Sequence, residues 1–294
     1  MPMTFNDALK TRDFTVTGQL NLANAPDAGS LLQQGETLRP AVDAVQLLDA
    51  KQPHISGVAA AALLIGNGVD PIVHMNCRDR NRLALQKDLL GAAALGVGSV
   101  LIARGAKIPK SARVGVRNVF DTPALEFMAY IQGLKQDEDE KRLSPDFLIG
   151  ANAEMFEPEA DWVPKNLIRK CDAGANFVQL QICFDMNVAR RYMARIVAAK
   201  LTHRASFIMS LSPLPSAEAA RWIRENVKGA LVPDSIVKRL ERASDPESEG
   251  VDICAALLRE AATIPGVSGA NLLTLGNLET IPAAVAASGL RGCA

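Results

Sequence analysis

Alternation is the feature that most constrains this chain. Eight short runs rich in Val, Ile and Leu are each followed by a longer run with helical character. The strand candidates are Phe14–Leu20, Val42–Leu48, Pro71–Met75, Ser99–Ala103, Phe147–Ala151, Asn176–Phe184, Ser206–Leu211 and Ala270–Leu275. Helices are expected near Ala28–Pro40, Ser56–Gly66, Arg80–Gly96, Pro123–Gly133, Asp161–Ala173, Val188–Ala199, Ala217–Asn226 and Ile281–Ser288. Two more, Asp234–Arg242 and Gly250–Ala262, stand before the last strand, and Ser56 reads as a helix N-cap. Strict alternation implies parallel strands joined by crossover helices. Eight such units in 294 residues have the size of a single α/β domain, a (β/α)8 TIM barrel spanning residues 1–294 with extra helix before the last strand. A doubly wound sheet is the competing architecture. Against it, neither GxGxxG nor GxxxxGK[ST] follows the first strand.

Charge narrows the function. Lys+Arg and Asp+Glu are both 32, so the formal net charge is zero. That argues against a nucleic-acid binder, which needs a basic surface, and against a polybasic membrane-surface protein. Aromatics at 4% disfavour a base-stacking platform. No apolar run reaches the roughly 20 residues that span a bilayer. The opening MPMTFNDALKTRDF has no apolar stretch, so a cytoplasmic protein is expected. Five dispersed cysteines, Cys77, Cys171, Cys183, Cys254 and Cys293, read as reduced thiols. Three histidines without HxH or HExxH spacing give no metal site. The charged stretch Lys135–Arg142 reads as a solvated loop.

In such a barrel, function sits at the C-terminal ends of the strands. That rule selects Gln19, Asn21, Asp49, His74, Asn76, Arg78, Arg104, Asn152, Glu154, Gln179, Gln181, Asp185, Thr274 and Asn277. The set is rich in amides and cations and poor in carboxylates, which suits a large polar ligand. Each residue also has a plainer reading. Gln19 could be a surface amide and His74 a satisfied core histidine. Arg78, Asp79, Arg80 and Arg82 read best as structural ion pairs at a helix start.

Two blocks carry a specific resemblance. His74-Met-Asn-Cys-Arg-Asp-Arg-Asn-Arg82 with the following helix, and Lys170-Cys-Asp-Ala-Gly-Ala-Asn-Phe-Val-Gln-Leu-Gln-Ile-Cys-Phe-Asp185, resemble the methylenetetrahydrofolate reductase family. A third, weaker block runs from Ile264 to Leu275. The blocks fall in family order across essentially the whole chain. The resemblance implies a (β/α)8 barrel that binds FAD and passes a hydride between NAD(P)H, flavin and a folate one-carbon unit. It implies flavin contacts at His74, Arg104, Gly105, Asn166 and Lys170, and a pterin contact at Gln181, with Gln179 beside it.

Departures from the family pattern matter as much. The first-strand Glu, taken as the general acid, is here Gln19, which can bind folate but cannot donate a proton as an acid. The Asp of the family's Leu-x-Gly-Asp turn is Ala106, and Leu48 and Leu180 replace two threonines. The reading that results is a folate-dependent enzyme interconverting methylene- and methyl-tetrahydrofolate through flavin. Two alternatives stand beside it: a flavin-independent tetrahydrofolate methyltransferase, and a non-catalytic folate- or flavin-binding subunit. Partners expected are the small-molecule folate, and either a second copy of the chain or a redox or methyl-transfer protein.

Overall fold

Eight parallel strands close on themselves. β1 (Thr15–Asn21), β2 (Ala44–Leu48), β3 (Pro71–Asn76), β4 (Ser99–Ala103), β5 (Leu148–Ala153), β6 (Phe177–Ile182), β7 (Ser206–Leu211) and β8 (Val267–Leu272) pair in chain order, and β8 returns to β1. The structure, a computed structural model, describes residues 3–108, 115–134 and 146–291. Cys293 and the Lys135–Arg142 stretch lie outside the described residues.

Helices α2 (Ala28–Leu38), α3 (Gly57–Gly66), α4 (Arg82–Ala94), α5 (Ala124–Leu134), α6 (Lys165–Asp172), α7 (Met186–Ala198), α8 (Ala217–Asn226) and α11 (Thr280–Ser288) follow the successive strands; α1 (Phe5–Thr11) precedes them. The added helices α9 (Asp234–Arg242) and α10 (Pro246–Ala262) lie before β8, as expected. Five details differ from the sequence reading. α1 was not foreseen. β8 starts and ends three residues earlier. α6 begins at Lys165, because the residue before Pro164 is pushed out of helical conformation. Ser56 occupies the N-cap position of α3, but its side chain makes no capping bond. α10 starts earlier than expected, where Asp245 accepts from the Ser248 N–H and Pro246 fills the first helical turn.

Side chains on alternate strand positions point in or out of the barrel. The outward set, including Val16, Val45, Val73 and Val100, packs under the helices in one continuous core. The inward set forms two layers of different chemistry. The lower layer is apolar: Ala44, Ile72, Leu101, Phe177 and Ile208, with Phe5 of α1 inserted among them. Phe5 meets the Phe177 ring edge-on at 5.2 Å. Phe177 fills the axis so fully that position 150 must be glycine, since a Cβ there would lie 2.2 Å from its ring. α1 is held by Asp70, whose Oδ2 accepts the Phe5 N–H at 2.6 Å. The upper layer is polar. Thr17, Gln46, His74, Ser210 and Asn271 are all buried there, where apolar branched residues are usual.

Candidate functional site

On the β8–β1–β2–β3 side, the upper layer is a chain of hydrogen bonds. His74 Nε2 lies 2.8 Å from Gln46 Oε1. Gln46 Nε2 donates to Thr17 Oγ1 at 3.0 Å, and Thr17 Oγ1 donates to Asn271 Oδ1 at 2.9 Å. Asn271 Nδ2 donates to Gln19 Oε1 at 3.2 Å. Burial pushes His74 down to about 4, against the opposing charge of Asp49, so its ring is neutral near pH 7. No member of this chain carries a charge at that pH. Gln19, half-buried at its upper end, is the member nearest the mouth.

The rim beside it is ionic. Asp49, buried at the end of β2, takes Arg80 at 2.6 Å and has His54 Nε2 at 3.4 Å. Arg78 is almost fully buried; it donates to Asp79 at 2.6 Å and to the Ala50 carbonyl at 2.8 Å. Arg82 pairs with Glu126. The arginine-rich block is therefore scaffolding that ties the ends of β2 and β3 to α4 and α5, in keeping with its structural reading. A buried charge of this kind needs its partners.

Across the mouth, at the ends of β5 and β6, lies a cavity of about 760 Å³. Asn152, Gln179, Gln181, Asn166 and Lys170 line it, with Lys165, Lys228 and Glu154. Three lysines against one glutamate make its lining cationic. Phe156, Trp162 and Tyr192 form one wall, with ring centroids 5.1 to 5.5 Å apart. Burial lowers the Lys170 pKa, and its Nζ donates to the Asn152 carbonyl. Gln181 Nε2 donates to the Lys228 carbonyl at 2.9 Å, and Lys228 pairs with Glu154 at 2.7 Å. Lys228 belongs to a strap that pairs Leu231 with Cys183 beyond the end of β6. Gln179 differs from its neighbours: its Oε1 is buried and has no hydrogen-bond partner. An orphaned acceptor in a cavity wall is where a ligand N–H would be accommodated.

The residues singled out from sequence thus fall in two groups. Asn166, Lys170, Gln179 and Gln181 share the cavity. Gln19 and His74 belong to the internal chain opposite. Arg104 and Gly105 join neither. The Arg104 guanidinium lies over the Phe120 ring at 4.6 Å. Gly105 has φ +76°, and a Cβ there would come within 2.7 Å of Arg78 Cβ, so its backbone packs on Asn76 and Arg78. Thr17, Gln46 and Asn271 were missed, as was the aromatic wall. Among the described residues no cluster of His, Cys, Asp or Glu could hold a metal, and no helix is long and apolar enough to cross a membrane. The four described cysteines are free and buried; burial pushes Cys77 up to about 11 and Cys183 to about 12, which leaves those two thiols unreactive.

A closed parallel barrel with a polar, cationic mouth at the C-terminal ends of its strands defines the class of protein, a (β/α)8 barrel. The methylenetetrahydrofolate reductase family profile matches residues 42–289, and the chain belongs to that family. A probable methylenetetrahydrofolate reductase (NADPH) of Caenorhabditis elegans is 30% identical over 142 residues, covering 47% of this chain and 20% of that one. The matched region is thus about a fifth of the relative's length. Among solved structures, a Clostridium thermocellum protein that binds two copies of 5-methyl-5,6,7,8-tetrahydrofolic acid superposes with a TM-score of 0.61 at 13% identity, covering 96% of each chain. DmoA from Hyphomicrobium sulfonivorans superposes at 0.56 with 11% identity, covering 94% of this chain and 87% of that one. At such identities the two structures support the fold.

Proposed function

We propose that this protein is a folate-dependent one-carbon enzyme that interconverts 5,10-methylene- and 5-methyl-tetrahydrofolate, with FAD as hydride carrier and NAD(P)H as electron source. The observation that carries the reading is the orphaned Gln179 Oε1 beside Gln181 in an amide- and lysine-lined cavity. A pterin presents N–H donors and ring acceptors on one edge, and an amide pair can meet both. The lysines suit the carboxylates of a folate tail. Family membership and the folate-binding barrel of similar fold lend support.

The residues fit one half of FAD. Asn166, Lys170 and the first turn of α6, which Pro164 leaves without a side-chain cap, would hold its diphosphate. The ring half meets no such match: His74 is bonded to Gln46, Arg104 rests on Phe120, and neither lines the cavity. When bound, FAD would supply the hydride chemistry. Gln19 would hydrogen-bond the folate without giving it a proton, leaving water to do so. The uncommitted ring half favours a second reading, transfer of a methyl group to or from tetrahydrofolate without flavin.

One titration separates the two. Protein incubated with FAD and freed of excess should retain a yellow flavin, whose visible band bleaches when 5-methyl-tetrahydrofolate is added. Protein that stays colourless yet binds 5-methyl-tetrahydrofolate points to methyl transfer, assayed with methyl donors and no NAD(P)H. Absence of binding to both FAD and folate would sink both readings.

A further inference from the structure

We propose that Thr17 is a positioning residue: its buried hydroxyl couples the Gln46 amide to the Gln19 amide, so that the NH2 end of Gln19 faces the mouth of the barrel. The argument is one of hydrogen-bond direction. A hydroxyl has one proton to give, and an amide has one donating end and one accepting end. The Thr17 oxygen receives Gln46 Nε2, so its proton goes to Asn271 Oδ1. Asn271 is then obliged to turn its NH2 toward Gln19, and Gln19 accepts with Oε1. At the far end, the Gln46 carbonyl faces His74 Nε2, so a neutral ring must carry its proton on that nitrogen.

Every choice along the chain follows from its neighbour. Thr17, Gln46 and Asn271 are completely buried, so water cannot substitute for a lost partner. With Oε1 engaged, Gln19 has its NH2 left for a ligand. The β1 side of the mouth therefore offers a donor. A secondary ring amine could accept there too, but its own N–H would meet no acceptor, so the site selects a tertiary ring amine or a carbonyl over a group with a free N–H. This rests on the proposed folate site and adds a substrate preference to it: the N-alkylated form over the form with a free N–H.

Equilibrium binding of 5-methyl-tetrahydrofolate and tetrahydrofolate, which differ at one ring nitrogen, tests the preference. The unmodified protein should favour the methylated probe, and Thr17→Val, which keeps the shape and removes the hydroxyl, should narrow that preference by about 3- to 10-fold, the worth of one neutral hydrogen bond. Thr17→Ser should restore it. In a Gln19→Ala background Thr17→Val should change nothing further. Equal weakening of both probes by Thr17→Val, or the same effect in the Gln19→Ala background, overturns the proposal. Gln46→Met, which frees the Thr17 hydroxyl to rotate, serves if Thr17→Val does not fold. Independently of any ligand, ¹⁵N NMR of the His74 ring should show the Nε2–H tautomer in the unmodified and Thr17→Ser proteins and a mixture in Thr17→Val. An unchanged tautomer in Thr17→Val overturns the lock even if no folate binds, and a protein that shows the lock but binds neither probe refutes the folate reading instead.

Discussion

At position 19 an amide stands where a carboxylate could hold a proton. Asn271 Nδ2 already donates to Gln19 Oε1, and a glutamate could accept the same bond while its second oxygen faced the mouth. Gln19→Glu should therefore fold normally and speed methylene-tetrahydrofolate reduction in the flavin-loaded protein, by up to the roughly 10²–10⁴-fold typical of general acid catalysis. Stopped-flow reoxidation of reduced flavin by the folate reads this directly. How much of the site was legible follows from the same strand. In Thr15-Val-Thr-Gly-Gln19 the polar side chains recur at every second position. In most sheets that pattern marks a solvent face; in a closed barrel it marks the interior. Gln19 was selected because it ends the strand, whereas Thr17, one step deeper, was passed over. The same holds for Gln46 and Asn271. Gln181 stands out because an amide inside an apolar strand needs a partner, and Gln179 lies beside it on the same strand.

Among the elements, α1 shows what a local pattern cannot convey. Seven residues give too little periodicity to mark a helix, and its partners Asp70 and Phe177 are far away in sequence. β8 was placed late because Ser268 and Gly269 dilute the start of its apolar run. The helices with strong caps and long apolar faces were placed within a few residues. The α1 contact should be pH-dependent. Burial pushes Asp70 up from 3.8 to about 6, against the lowering effect of the Phe5 N–H. A raised carboxyl binds its proton more tightly in the folded state, so its contribution is present at low pH and is lost as pH rises from about 4 to 6. Asp70→Asn keeps an acceptor for Phe5 and removes the charge. It should match the unmodified protein near pH 4 and exceed its stability at pH 8 by about 1–3 kcal/mol, measured by urea denaturation at both values. Gly150→Ala should cost about 1–3 kcal/mol in the same assay, because its methyl group meets the Phe177 ring.

For the whole molecule, the two interior layers divide labour between stability and recognition. The lower, apolar layer holds the base closed, and none of its side chains lines the cavity. The upper layer leaves polar groups at the mouth. Phe5→Ala should thus cost about 3–5 kcal/mol of stability while leaving folate affinity within twofold, as guanidinium melts and binding titrations at low temperature would show. A parallel fall in affinity would mean that the layers are coupled. The zero net charge leaves room for local imbalance: the ionic groups at the β2 and β3 ends pair with one another, while three lysines and one glutamate line the cavity.

The plug at the base also imposes an order in time. Phe5 is made long before Phe177, the ring it rests against. At synthesis rates of about 5–20 residues per second, roughly 10 to 30 s pass before that ring exists. Through that interval the Phe5 ring lacks the ring it rests against, and the β1–β8 seam cannot close until the last strand is made. Made before every strand of the barrel, α1 is thus bound to be among the last elements to settle, and a growing chain must keep Phe5 from alternative apolar partners until the barrel is ready for it.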